Sequence, residues 1–272
     1  MKKVGSIPQV GYGTWNRDGQ VAYDGVRCAL DVGYRHIDTA EGYNNEEYVG
    51  AAISDSGIPR PDIFLTTKVS PESFGPGQIM SHVRTSLDKL RVEKVDLLLL
   101  HYPSIKDEYD ITDYMAQLAD VIDAGLTDQI GVSNFTKRYI DSALDLLGDR
   151  PIATNQVEIH PLMQNRPIVE YCRDRGIPMT AYSPLGRGCV NDSAGLKEIA
   201  AAHDATAAQV SLAFLMAEGF IIIPSSGNPS RIAENFAAKD IVLTEADIST
   251  IRSLDEGRRL VDGPWCPAWD TE

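Results

Sequence analysis

Val95-Asp96-Leu97-Leu98-Leu99-Leu100-His101 decides the fold of this chain. The four leucines show no polar alternation, so both faces of the strand they predict must be covered. That is the condition of a parallel sheet wrapped in helices. Three similar runs precede it: Val10 to Gly13, His36 to Asp38 and Ile63 to Lys68. Four more follow, at Gln129 to Ser133, Thr154 to Glu158, Pro178 to Tyr182 and Phe220 to Pro224. Between the runs lie amphipathic stretches such as Ile79 to Leu90 and Ile168 to Arg175, which read as crossover helices. Asp62, Pro151 and Pro178 mark loops where helices stop. No linker rich in Gly, Pro or Ser divides the 272 residues. Eight strand-helix units at a length near the roughly 250 residues typical of the architecture predict an α/β fold. It is a single-domain (β/α)8 TIM barrel spanning residues 1–272.

Composition narrows the partners. A formal net charge of −14, with no Lys or Arg run to offset it, opposes nucleic-acid binding. The acidic excess reads as a solubilising surface. Cys28, Cys172, Cys189 and Cys266 form no Cys-x-x-Cys pair and no metal-ligand spacing with histidine, so no metal is expected. Met1-Lys2-Lys3 is not followed by an apolar leader, and nothing approaches the ~18 apolar residues of a membrane span. A cytoplasmic protein without membrane partners is the expectation.

In a (β/α)8 barrel, reacting groups sit at the C-terminal ends of strands. Asp38 ends the second run, Tyr43 follows it, Lys68 ends the third and His101 the fourth. Each has a plain structural alternative. Asp38 suits a helix cap, His101 a satisfied core histidine and Tyr43 loop packing. A lysine ending a core strand needs a partner or a purpose. Together the four supply what carbonyl reduction requires. Hydride arriving at a carbonyl carbon leaves negative charge on oxygen, and a positioned acid must neutralise it. Tyr43 is that acid, with the Lys68 ammonium expected to lower its pKa from ~10 and Asp38 to hold the lysine charged. His101 orients the carbonyl oxygen. Gly11-Tyr12-Gly13-Thr14-Trp15-Asn16 breaks the Gly-x-Gly-x-x-Gly pattern of a Rossmann fold, so a dinucleotide must be held in another way.

The chain resembles the aldo-keto reductase family over essentially its whole length. The resemblance rests on Gly11 to Trp15, Tyr34-Arg35-His36-Ile37-Asp38-Thr39-Ala40 with Tyr43, Thr66-Thr67-Lys68, and Val95-Asp96-Leu97 through His101. It continues at Ile130 to Phe135, Asn155-Gln156, Ala181 to Gly186 and Arg231 to Asn235. It implies a (β/α)8 barrel, a small-molecule carbonyl substrate, NADPH as cofactor, and a monomer. By that resemblance Tyr43 is the general acid, Lys68 and Asp38 its tuning pair and His101 the substrate-orienting group. Ser133, Asn134 and Gln156 would bind the nicotinamide carboxamide, and Tyr182 would stack on the ring. Gly13, Thr14, Ser183 and Leu185 would complete that half of the cofactor site. Arg231 would lie near the 2′-phosphate, with Glu234 and Asn235 on the adenine.

Three departures matter. Where many relatives carry Ile-Pro-Lys-Ser, this chain has Ile223-Pro224-Ser225-Ser226, so one phosphate-binding ammonium is missing. Ser225, Ser226 and Arg231 remain to bind phosphate, and NADPH is expected to be preferred over NADH by a smaller margin. Ser70 and Tyr102 replace the aromatics often found in a substrate pocket that Trp15 and Trp265 would also line. Trp265 and Trp269 could close over the mouth or pack on the tail. These features are similar to bacterial family members that reduce 2,5-diketogluconate and methylglyoxal, which implies α-dicarbonyl or sugar-derived substrates. Two other functions stay open: a Schiff-base aldolase using Lys68 and a non-catalytic NADPH-binding barrel acting as sensor or partner subunit.

Overall fold

The computed structural model describes residues 2–271. Eight parallel strands follow one another in chain order across one sheet. They are β1 (Tyr12–Gly13), β2 (His36–Asp38), β3 (Phe64–Val69), β4 (Leu97–Leu100), β5 (Ile130–Ser133), β6 (Asn155–Glu158), β7 (Met179–Tyr182) and β8 (Ile221–Ile222). The two edges meet. Val10 pairs with Ile222 in parallel. The Ile222 N–H donates to the Gln9 carbonyl at 2.9 Å, and the Gly11 N–H donates to the Ile222 carbonyl at 2.8 Å. These contacts close the sheet into a barrel, so no open edge remains. The eight strands lie at the eight runs expected from the sequence, most of them trimmed by a residue or more at their ends.

The leucine run divides as strand geometry requires. Leu97 and Leu99 join Ile7 and Ile221 in a small apolar cluster inside the barrel. Leu98 and Leu100 belong to the larger core between barrel and helices. Ile7 comes from an antiparallel hairpin, Lys3–Val4 with Ile7–Pro8, that plugs the N-terminal end of the barrel. Two-residue strands leave no periodic signal, and the sequence did not announce this hairpin.

Among the described residues, ten α-helices surround the sheet. They are α1 (Gly19–Val32), α2 (Glu46–Asp55), α3 (Gln78–Leu90), α4 (Ile111–Asp123), α5 (Lys137–Leu147), α6 (Arg166–Asp174), α7 (Ala194–Ala202), α8 (Ala207–Ala217), α9 (Pro229–Ala237) and α10 (Glu245–Arg252). In α3 the residues Ile79, Val83, Leu87 and Leu90 fall on one stripe and are buried. Helix α8 is apolar almost all round and opens with a reciprocal capping box between Thr206 and Gln209. Asn228 caps α9 through the Arg231 N–H, with Pro229 in the first turn. No single helix among the described residues is long and apolar enough to cross a membrane. All four cysteines are free thiols.

Candidate active site

A cleft of about 1300 Å³ opens at the C-terminal ends of the strands. This exceeds the ~300–1000 Å³ of an ordinary small-ligand pocket and leaves room for two molecules side by side. Tyr43, His101, Tyr102, Ser70, Trp15 and Trp265 line one end. Ser225, Ser226, Arg231, Glu234 and Asn235 line the other, with Gly13, Tyr182, Ser183 and Leu185 between them. Ser183 and Arg187 on its wall adopt left-handed backbone, with φ of 48° and 51°, a conformation uncommon for residues other than glycine.

Under the floor lies a buried ion pair. The Lys68 Nζ donates to Asp38 Oδ1 at 2.6 Å, to the Thr39 carbonyl at 2.8 Å and to the Tyr43 hydroxyl at 3.4 Å. Lys68 is fully buried and does not line the cleft. Strand pairing makes the arrangement: Asp38 lies opposite Thr66, two residues before Lys68 on β3, so both side chains rise on one face. Asp38 is therefore no helix cap. The short 3-10 turn Glu41–Tyr43 begins without a side-chain cap and instead lifts Tyr43 over the pair. The ring of His101 packs edge-on against Tyr43, with centroids 5.5 Å apart.

The expected acidification of Tyr43 does not appear. Burial, reinforced by the Asp38 carboxylate, holds the phenol well above its ordinary pKa. Lys68 is spent on Asp38 at 2.6 Å, and its bond to Tyr43 is the long one of its three. Burial pulls Lys68 down while Asp38 opposes that. Burial, followed by the Lys68 charge, drives the His101 imidazole well below its usual range. The result is a neutral phenol beside a neutral imidazole, with a cation beneath ready to receive a phenolate. That set can give up a proton and hold the charge left behind.

The residues expected around a carboxamide are brought together but hydrogen-bond one another. Gln156 Nε2 donates to Asp38 Oδ2 at 2.8 Å. Ser133 Oγ donates to the Gln156 carbonyl at 2.8 Å and is fully buried. Asn134 Nδ2 donates to the His101 carbonyl at 2.9 Å, and Asn134 Oδ1 accepts from the Tyr182 hydroxyl at 2.9 Å. Gln156 and Asn134 reach the cleft, whereas Ser133 stands behind them. Thr14 does not reach it. Its hydroxyl donates to Thr39 Oγ1 at 2.9 Å, and its N–H donates to the Asp38 carbonyl at 3.0 Å.

At the far end, Glu234 Oε1 accepts from the Thr206 hydroxyl at 2.6 Å. The Ser226 hydroxyl takes the Asn228 N–H at 3.1 Å. Trp265 lines the cleft, and burial pushes the neighbouring Tyr102 phenol up to about 12. Trp269 turns away. Its indole donates to Asp262 at 3.0 Å and stacks on the Arg259 guanidinium at 4.0 Å.

Several contributors left no mark in the sequence. Arg17 and Arg187 line the cleft, and the Arg187 guanidinium lies 4.8 Å from the Trp15 ring centroid. Glu158 ends β6 and accepts the N–H groups of Leu260 and Val261, each at 2.9 Å, which seats the tail at the mouth. Its position as the last residue of the sixth expected strand was the available signal. The arginines come from loops, where one charge among many carries none.

Residues 9–256 match the aldo/keto reductase family. The chain belongs to that family. It is 42% identical over 267 residues to methylglyoxal reductase DkgB of Yersinia pestis, covering 97% of this chain and 100% of that one. It is 40% identical to the protein of the same name from Escherichia coli O157:H7, covering 97% of this chain and all of that one. A crystal structure of a candidate 2,5-diketo-D-gluconic acid reductase B superposes with a TM-score of 0.94 at 38% identity, covering 98% of this chain and 95% of that chain. This aldo/keto reductase also resembles MGS-M4, an aldo-keto reductase from a deep-sea metagenome, with a TM-score of 0.89 at 35% identity over 94% of each chain.

The cleft of this family member suits a dinucleotide. Among the described residues Arg17, Arg187 and Arg231 form no ion pair with a carboxylate, although all three line the cleft of a chain with net charge −14. Uncompensated guanidinium groups facing one groove are placed for phosphate.

Proposed function

We propose that this aldo/keto reductase reduces small aldehydes and ketones with NADPH, and that α-dicarbonyls and sugar-derived ketones are its substrate class. The observation that carries the reading is the Tyr43 hydroxyl, 3.4 Å above a lysine locked to Asp38, at the floor of a cleft with His101 beside it. The bound nicotinamide supplies the hydride. Tyr43 donates its proton to the carbonyl oxygen, and the Lys68 ammonium stabilises the phenolate that results. His101, neutral, orients that oxygen through a ring N–H. Asp38 keeps Lys68 charged and in place. Gln156 and Asn134 would bind the carboxamide, with Ser133 bracing Gln156. Tyr182 would offer its face to the nicotinamide. Ser225, Ser226 and Arg231 would bind phosphate, with Glu234 and Asn235 toward the adenine, which favours NADPH over NADH.

The substrate class draws on the relatives named as reductases of methylglyoxal and 2,5-diketogluconic acid. The small, polar Ser70 at the substrate end agrees with it. A Schiff-base aldolase needs an accessible neutral amine, and Lys68 is buried with three acceptors around it. The test is oxidation of NADPH by a carbonyl panel led by methylglyoxal, with Tyr43→Phe alongside. The variant is expected to bind NADPH normally and lose about 100- to 10,000-fold in turnover. No NADPH consumption by the wild type would leave a nucleotide-binding barrel without this activity.

A further inference from the structure

Ser225 lines the far end of the cleft, and the structure brings a cation to it from another loop. Arg17 lies in the loop after β1, far from Ser225 in sequence. Its Nε donates to Ser225 Oγ at 3.1 Å. One of its terminal nitrogens lies beside Gly227, 3.8 Å from where a Cβ would stand. The other side of the guanidinium fork is left to the cleft, since Arg17 forms no ion pair among the described residues and lines the groove. Its backbone is fixed from below. The buried Asn45 amide donates to the carbonyls of Thr14 at 2.9 Å and Arg17 at 2.8 Å. Asn45 Oδ1 in turn accepts from the Thr39 hydroxyl at 3.0 Å. Ser225 Oγ also donates to the Trp15 carbonyl at 3.2 Å, tying the two loops together.

Resting on the reading of the cleft as an NADPH site, we propose that Arg17, steered by Ser225, is a cofactor-phosphate-binding residue. A guanidinium held by Ser225, on a backbone held by Asn45, binds phosphate oxygens with a reduced ordering cost. A chain of net charge −14 repels an anionic cofactor unless such groups face it locally.

The test measures NADPH and NADH affinity without a carbonyl substrate, by calorimetry, for the wild type, Arg17→Ala, Arg17→Lys and the double variant Arg17→Ala with Ser225→Lys. Arg17→Ala is expected to raise the Kd by about 10- to 100-fold, the worth of a charge-assisted bond. Arg17→Lys and the added Ser225→Lys should each restore most of it. A loss confined to NADPH assigns the guanidinium to the 2′-phosphate, and an equal loss with both nucleotides assigns it to the pyrophosphate. Unchanged affinity in Arg17→Ala overturns the proposal. So does a loss that neither lysine restores, because the loop rather than the charge would then be responsible. A wild type that binds neither nucleotide overturns the functional reading itself.

Discussion

Lys68 and Asp38 form the only ion pair between a lysine or arginine and a carboxylate that is fully buried among the described residues, with side chains 0% and 2% exposed and 2.6 Å between charges. Removing one partner of such a pair leaves the other as a buried, uncompensated charge. Asp38→Asn should therefore cost about 3–5 kcal/mol of stability. It should lower turnover as well, since the cation under Tyr43 would be lost or displaced. Urea titration of the variant checks the first effect and steady-state rates the second. A variant as stable as the wild type would show that the pair is solvated in solution.

The pH profile of reduction follows from two shifts. Tyr43 is held well above its ordinary value by burial and Asp38, so the phenol keeps its proton up to at least pH ~10. His101 is held well below its usual value by burial and Lys68, so its ring is neutral down to at least pH ~6.5. Both shifts widen the working range. Burial pulls Lys68 down, so an alkaline limb reports loss of the ammonium and not of the phenol proton. Plots of kcat/KM should be flat across neutral pH, and an acid limb setting in above pH ~6.5 would contradict a neutral His101.

Stability has its own pH limit. His36 and His101 are both depressed by burial, so the unfolded chain binds more protons than the folded one once pH falls below about 6.5. Their contribution is full above that value and is lost progressively as pH falls through the folded values. Melting temperatures recorded from pH 8 to pH 5 should begin to drop near pH 6.5. A constant Tm across the range would mean that neither histidine is shielded.

Glu158 anchors the tail that carries Val261 and Trp265 to the cleft. Burial would raise its pKa, but hydrogen bonds from His160 and from the Leu260 and Val261 N–H groups outweigh that and hold it low. Glu158→Ala should release the tail, raise KM for the carbonyl more than it lowers kcat, and increase hydrogen exchange at residues 260–265. Unpairing two part-buried N–H groups should cost at most about 1–3 kcal/mol each. Unchanged exchange would show that Glu158 does not hold the tail.

Gly50 fixes the spacing of two helices. A Cβ there would meet the Leu90 backbone at 2.6 Å, and backbone cannot rotate away. Gly50→Ala should push α2 from α3 and lower stability by about 1–3 kcal/mol, read as a reduced Tm. The gain in helix propensity is smaller than this penalty.

The barrel was legible because its cause is local. Strands covered on both faces are written as unbroken apolar runs, as in Leu97 to Leu100, and the helices between them carry stripes such as Ile79, Val83 and Leu87. The candidate site was legible for the same reason, since Asp38 ends β2, Lys68 is the penultimate residue of β3 and His101 follows β4, and the architecture sends strand ends to one mouth. The family pattern supplied the cofactor half of the site.

What the sequence left open depends on distances between segments far apart in the chain. Burial, with the Asp38 carboxylate, raises the phenol of Tyr43, and residue order says nothing of how deep the ring lies or that Lys68 sits 2.6 Å from Asp38 but 3.4 Å from Tyr43. Thr14 and Ser133 turned to protein partners, and Trp269 packed on Arg259, because each found a nearer acceptor or face than the cleft. Sequence alone indicated which strand ends meet at the mouth, because burial pattern sets strand and helix locally. The fold decided which of them touch, because charge and hydrogen bonding fall off over a few ångströms that only the closed barrel defines.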